Sequence, residues 1–155
     1  MDMEQLVKNS LVNEQTLNLE NRNIGDAGAK TLAGMEMLSK LTTLELGDNG
    51  IGDDGVKALA DSPYLTNLLT LNLKSNNITA EGAGALAESP ALSKLDQLIL
   101  KFNRIGEAGA KRLAASQTLS QLSTLDLFRN HIGPEGAKAI KQSKTFKRLS
   151  RVRVD

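Results

Sequence analysis

Leucines recur along the chain with a spacing of 27 residues. The column that starts at Leu17 continues through Leu44, Leu71, Leu98, Leu125 and Val152. A second column runs two residues later, from Leu19 to Val154, and a third runs three residues earlier, from Leu41 to Leu149. Because side chains alternate along a strand, the L-x-L spacing predicts a short strand with one buried face. One such strand cannot bury its leucines alone, so stacked copies should form a parallel sheet over one core.

An asparagine follows the second leucine at a fixed distance. This column holds Asn49, Asn76, Asn103 and Asn130, and an isoleucine column follows two residues later. Each unit therefore reads L-x-x-L-x-L-x-x-N-x-I. The chain turns inward after the strand, and a buried carboxamide can both donate to and accept from the backbone groups that lose their partners there. We expect its loss to cost about 1–3 kcal/mol for each buried group left unpaired.

The second half of each unit reads G-x-x-G-A-x-x-L-A and predicts a helix. The predicted helices cover residues 25–33, 52–60, 79–87, 106–114 and 133–141. Their Ala and Leu columns should face the sheet, and their glycines should let helix and sheet pack closely. Asp26, Asp53 and Asp54 fall in first turns, where a negative charge is favoured by the helix macrodipole.

This unit resembles the leucine-rich repeat, and its helical half is similar to the ribonuclease-inhibitor-like class of that family. The match recurs five times over nearly the whole chain. The resemblance implies an α/β horseshoe, with a parallel β-sheet on the concave face and helices on the convex face. It also implies a non-catalytic module that binds another protein through its concave face. Similar repeats serve cytosolic inhibitors, activators of small GTPases, innate-immune sensors and effectors that intracellular bacteria inject into host cells.

We expect a single leucine-rich repeat domain over residues 1–155. Residues 1–14 should form an N-terminal cap, the repeats should lie near 15–41, 42–68, 69–95, 96–122 and 123–149, and residues 150–155 should form the last strand. Arg22 and Glu14 depart from the repeat pattern, as suits a terminal repeat that faces water. An open last strand is a pairing hazard, so further chain or a partner covers it, or Arg151 and Arg153 discourage pairing. We expect a complete short protein or a trimmed one.

Charge is divided unevenly along the chain. Residues 1–77 hold 6 Lys or Arg against 11 Asp or Glu, for a net charge of −5, whereas residues 78–155 hold 13 against 7, for +6. In a solenoid these halves lie at opposite ends, so the asymmetry produces a real field. With no apolar run near the ~18 residues of a membrane span and no signal peptide, we expect a cytoplasmic protein, or one delivered into a host cell if it is a bacterial effector.

The outward strand positions and the residues just after each strand should line the concave face. These positions are polar and acidic in the first two repeats, but apolar and basic in the later ones. The predicted partner-binding residues are Ile99, Phe102, Phe128, Lys74, Lys101, Arg104, Arg129, His131, Asp126 and Arg153. Exposed aromatics beside arginines are typical of interface hot spots. The alternative is that the two phenylalanines only stack on each other across adjacent strands.

We accordingly expect the partner to be a protein with an acidic surface and an apolar contact, and we expect no membrane or small-molecule substrate. The sequence predicts no catalytic residue, metal site or cofactor. His131 is the only histidine, and it occupies a variable loop position with no nucleophile beside it. A GTPase-activating role would be a special case of partner binding, and a ubiquitin-ligase role, known for some bacterial repeat effectors, would need a cysteine that this chain lacks.

The alternative function is nucleic-acid binding through the basic C-terminal end. The residues that would carry it are Lys138, Lys141, Lys144, Lys147, Arg148, Arg151 and Arg153. Such binding predicts several phosphate contacts and a steep dependence on salt. Few aromatic side chains are present to stack on bases, which counts against this alternative.

Overall fold

Strands and helices alternate in the computed structural model, which describes residues 2–154. Seven strands form one open sheet in chain order: β1 (Leu11–Val12), β2 (Thr16–Asn18), β3 (Thr43–Glu45), β4 (Thr70–Asn72), β5 (Gln97–Ile99), β6 (Thr124–Asp126) and β7 (Arg151–Arg153). Strand β1 pairs antiparallel with β2, and every later pair is parallel. Asp155, which we assigned to the last strand, lies outside the described residues.

The parallel strands pair in the register that the repeat spacing predicts. Leu44 lies opposite Leu71, and Leu98 lies opposite Leu125, each 27 residues further along the chain. Each sequence column therefore becomes a row of neighbours that runs along the sheet. A substitution in one repeat consequently meets the equivalent residues of the repeats on either side.

A helix follows each strand from β2 to β6. The helices are α1 (Met3–Ser10), α2 (Gly25–Ala33), α3 (Asp53–Ala60), α4 (Ala80–Ala87), α5 (Gly106–Ala114) and α6 (Gly133–Lys141), and a 3₁₀ turn spans Glu36–Leu38. Three of the five predicted repeat helices have the predicted bounds. Helices α3 and α4 begin one residue later, because Gly52 and Thr79 have extended backbones with φ of −104° and −110°.

The repeated leucines form one continuous aliphatic core. The strand residues Leu17, Leu44, Leu71, Leu98 and Leu125 are fully buried. The inward helix residues Leu32, Leu59, Leu86, Leu113 and Ile140 are buried against them. Burying one such side chain contributes about 1.5–3 kcal/mol, so this core is the main favourable term in folding.

The asparagines are buried and bond to turn backbone groups as predicted, and the structure shows that they also join neighbouring repeats. Asn76 Oδ1 accepts from the backbone N–H groups of Asn49 and Ile51 at 3.1 and 3.0 Å. Its Nδ2 donates to the carbonyl oxygens of Leu46 and Leu73, both at 3.0 Å. One side chain thus satisfies backbone groups in two successive repeats. The corresponding residues Asn49, Asn103 and Asn130 make equivalent bonds.

A serine column forms a second set of bonds between repeats, which the sequence analysis did not anticipate. Ser89 Oγ donates to the carbonyl oxygen of Ala60 at 2.5 Å, and that carbonyl belongs to the last turn of α3. The end of a helix leaves such carbonyls without an intrahelical partner. Ser62, Ser116 and Ser143 bond in the same way to the helix of the preceding repeat.

Two aspartates in helix first turns also bond to the next helix. Asp26 Oδ1 accepts from the N–H groups of Gly52 and Gly55 at 2.7 and 3.0 Å. Asp53 Oδ1 accepts from Thr79 and Gly82 at 2.8 and 3.0 Å. These carboxylates therefore satisfy the free N–H groups at the start of α3 and α4, in addition to lying in the first turns of their own helices.

The asparagine bonds can be tested with two neighbouring residues. Asn76→Ala should lower the free energy of unfolding by about 2–4 kcal/mol, because buried backbone groups in two repeats lose their partners. Asn77→Ala, at the exposed neighbouring position, should change it by less than about 0.5 kcal/mol. Urea denaturation of both variants measures the difference, and equal losses would show that the buried amide has no special role.

Candidate functional site

The turn after each strand places one residue in the left-handed region of backbone space. Asn21, Asp48 and Ser75 hold this position in the first three repeats, with φ between 53° and 57°. Phe102 and Arg129 hold it in the next two, with φ of 60° and 59°. Asn and Asp tolerate this conformation, whereas it costs most other residues about 1–2 kcal/mol. Phe102 therefore adopts a backbone conformation that phenylalanine disfavours.

Phe102 and Phe128 form an aromatic pair on the concave face of the sheet. Their ring centroids are 5.9 Å apart and the rings meet edge to face at 79°. Phe128 is half-buried, but Phe102 remains 48% exposed. Such pairs contribute about 0.5–1.5 kcal/mol beyond the area they bury. The two rings therefore stack on each other across adjacent strands, and the ring of Phe102 still faces water.

Two arginines lie against the ring of Phe128. The Cζ atom of Arg153 is 4.6 Å from the ring centroid and that of Arg129 is 5.4 Å from it. Both distances fall within the ~6 Å range of a cation–π contact. We call Phe102, Phe128, Arg129 and Arg153 the aromatic–arginine cluster.

Asp126 lies beneath this cluster and is 7% exposed. Its Oδ1 accepts from the backbone N–H of Phe128 at 3.0 Å, and its Oδ2 lies 3.4 Å from Nη1 of Arg153. Asp126 is one of the predicted partner-binding residues, and its carboxylate lies under the cluster, where it contacts two of the cluster's residues.

Four other predicted residues border the cluster. Ile99 is half-buried on β5, and its Cα partner across the sheet is Asp126. Lys101 is half-buried and immediately precedes Phe102, while Arg104 and His131 are exposed in the loops that follow the strands. These residues make the border of the cluster predominantly basic.

Lys74 extends towards the acidic half of the protein. Its Nζ lies 3.3 Å from Oε1 of Glu20, two repeats earlier. The side chain passes over Gly47, where a Cβ atom would lie 2.8 Å from carbons of Lys74. The small residue at position 47 thus leaves room for a contact that the sequence-based prediction did not include.

The sequence contains an indication that Asp126 bonds to the turn that follows it. Asn18 and Asn72 occupy the same column, and the Oδ1 of each accepts from the N–H two residues later, in Glu20 and Lys74, at 3.0 Å. The recurrence of Asn and Asp in one column indicates a side chain that bonds to its own turn. Exposure could not be inferred from the alternation of side chains alone, because a residue on the outward face can still be covered by its neighbours.

An open cleft of about 560 Å³ lies on the helical side, between α3, α4 and α5. It is lined by Asp53, Asp54, Lys57, Asp61, Glu81, Ala85, Glu88 and Arg112. An exposed aromatic flanked by arginines has the composition of a protein contact, not of the concave apolar pocket typical of small-molecule sites.

Within residues 2–154, no group of three or more His, Asp or Glu side chains could hold a metal ion. None of the helices in that range is long and apolar enough to cross a membrane.

Comparison with known proteins identifies the repeats. Residues 38–60, 64–87 and 119–141 match the family model for the leucine-rich repeat. Among solved structures, the chain is similar to an internalin from Listeria monocytogenes (str. 4b F2365), with 23% sequence identity and a TM-score of 0.45. That match covers 79% of this chain and 36% of the internalin chain. No curated protein matches the chain.

The matched segments are leucine-rich repeats, and the same strand–helix unit continues through the segments that the family model does not match. Parallel strands and helices alternate around an open sheet. The chain therefore folds as an α/β leucine-rich repeat solenoid.

The left-handed backbone of Phe102 predicts how substitutions at this position change the free energy of unfolding. In Phe102→Asn, the relief of about 1 kcal/mol in the left-handed turn should offset the loss of the aromatic pair. The free energy of unfolding should therefore stay within about 0.5 kcal/mol of the parent value. The reverse substitution at the equivalent position of the first repeat, Asn21→Phe, should lower it by about 1 kcal/mol. Chemical denaturation measures both changes, and an unchanged Asn21→Phe variant would show that this backbone position does not disfavour phenylalanine.

Proposed function

We propose that this protein is a non-catalytic interaction module that binds a partner protein through the aromatic–arginine cluster on its concave face. The observation that carries the proposal is Phe102. Its ring is about half exposed, 48%, at a turn position where three other repeats have Asn, Asp or Ser. Folding therefore gains little from a phenylalanine there, whereas aromatic and arginine side chains are enriched among the residues that dominate binding energy.

The charges around the cluster favour an acidic partner. Within residues 2–154, no carboxylate lies within 4.0 Å of a nitrogen of Lys101, Arg104 or Arg129. These cations lie within two residues of Phe102 or Phe128 along the chain. A partner that presents acidic groups around an apolar side chain would match both features. Complementary charge of this kind chiefly increases the association rate and the specificity of binding.

The proposal includes the class and setting of the protein. We infer the ribonuclease-inhibitor-like class from the G-x-x-G-A-x-x-L-A pattern, because each copy of that pattern forms a helix on the outer side of the sheet. A module of this kind acts by blocking its partner or by holding it as a scaffold. We propose that it acts in the cytoplasm, either of its own cell or of a host cell if the protein is a bacterial effector.

Removing both rings tests the binding surface. The partner is first captured from host and bacterial lysates with the parent protein, and its affinity is then measured by calorimetry. Phe102→Ala combined with Phe128→Ala should raise the Kd by about a hundredfold or more, because each hot-spot residue contributes about 2 kcal/mol or more. The variant should remain folded because neither ring belongs to the buried core, and loss of the aromatic pair should lower its stability by only about 0.5–1.5 kcal/mol.

The control removes exposed apolar side chains outside the cluster. Met37 and Leu69 are 37% and 46% exposed, and Met37→Ala combined with Leu69→Ala should leave the Kd unchanged. If the double phenylalanine variant binds the partner as tightly as the parent protein, the concave cluster is not the binding surface.

Nucleic-acid binding is the second candidate, and one observation favours it. The side chains of Lys138, Lys141, Lys144, Lys147, Arg148 and Arg151 are exposed, and within residues 2–154 none has a carboxylate within 4.0 Å of its charged nitrogens.

Fluorescence anisotropy with a short DNA or RNA duplex, repeated over a range of salt concentrations, separates the two functions. Our leading proposal predicts weak, nonspecific binding to the duplex. Tight binding that survives loss of both phenylalanines and weakens steeply with salt would support the nucleic-acid function instead.

A further inference from the structure

The carboxylate of Asp126 is not required by the turn that follows β6. At the equivalent positions, the last residues of β2 and β4, the Oδ1 atoms of Asn18 and Asn72 accept the same bond from the N–H two residues later. In all three cases the bond length is 3.0 Å. A neutral amide is therefore sufficient for the local backbone, and the negative charge at position 126 needs a second explanation.

That explanation lies in Arg153, the Cα partner of Asp126 across the sheet. The side chain of Asp126 is only 10% exposed, and burying a carboxylate is costly unless it is paired. Its Oδ2 faces Nη1 of Arg153, whose side chain remains 57% exposed. The Nη1 atom of Arg153 therefore contacts Asp126, while the guanidinium carbon lies 4.6 Å from the ring centroid of Phe128. Most of its N–H groups remain open to a ligand.

We propose that Asp126 is a positioning residue that presents Arg153 as a two-pronged donor for a carboxylate side chain of the partner. This inference rests on the proposed function and names the chemistry recognised at that site. The planar guanidinium matches the two oxygens of a carboxylate, which a lysine ammonium cannot do. Because Phe102 and Phe128 lie beside it, the recognised feature is an acidic side chain next to an apolar one.

The positioning can be measured by NMR without any partner. In the parent protein, the ring current of Phe128 should shift the side-chain protons of Arg153 away from their ordinary values. Asp126→Asn keeps the turn bond but loses the charge, so this shift should decrease while the unfolding midpoint stays the same. The control is Asp96→Asn, which alters a carboxylate bonded to Ser123 and should leave the Arg153 signals unchanged. Arg153 signals that are identical in Asp126→Asn and in the parent protein would overturn the positioning role.

The ligand chemistry is tested with defined probes. The peptide acetyl-Glu-Leu-Glu-Leu-Glu-amide should perturb the Nε–H resonance of Arg153, whereas the same peptide with Gln in place of Glu should not. Asp126→Asn should weaken binding of the Glu peptide about threefold to fivefold, the range expected for a partly exposed ion pair. Arg153→Lys keeps the charge and should also weaken it. Equal binding by Arg153→Lys, or phosphate binding as tight as that of the Glu peptide, would overturn the two-pronged recognition of a carboxylate.

These outcomes are distinguishable from a failure of the proposed function. If the captured partner binds without the two phenylalanines, the concave cluster is not its binding surface, yet the NMR comparison of Asp126→Asn still reports on Arg153. Conversely, the partner can depend on Phe102 and Phe128 while Asp126→Asn has no effect on affinity or on the Arg153 signals. In that case the proposed function holds and the positioning role fails.

Discussion

The buried asparagine amide between successive repeats is the interaction on which this solenoid depends. After each strand the chain turns into the core, where water cannot satisfy its backbone groups. The amide of Asn76 satisfies such groups in its own repeat and in the preceding one. Because Asn occupies the same place in the turns of repeats two to five, successive units cannot slip past one another without leaving these groups unpaired. The 27-residue register of the sheet and the stacked leucines both follow from this constraint.

The fold leaves the outward positions of the strands free to vary. The leucine and asparagine columns form the core and the turns. A residue such as Phe102 can therefore occupy an outward position at a modest cost in stability. That cost is visible in its left-handed backbone, which is better suited to the Asn and Asp of the first two repeats. An aromatic ring exposed at such a position is the feature from which we propose binding. In that proposal, the basic later repeats are the part of the surface that attracts an acidic partner.

The sequence predicted the fold closely and the site incompletely. Columns of leucine and asparagine gave the strand register and the buried amides, and three repeat helices had the predicted bounds. The prediction also placed Phe102 and Phe128 side by side. It did not anticipate that Lys74 pairs with Glu20 or that Asp126 is covered, because each contact joins residues in different repeats through side chains that can adopt several directions.

The sequence alone therefore determined which aliphatic positions are buried and how the strands align, since a strict 27-residue period brings the residues of each column together in the stack. Tertiary structure decided how the exposed charged side chains are arranged. The contacts of a long side chain such as Arg153 depend on the distance, burial and charge of groups on neighbouring strands, none of which the repeat pattern specifies. Arg153, the ring of Phe128 and the carboxylate of Asp126 become neighbours only when β6 and β7 lie side by side.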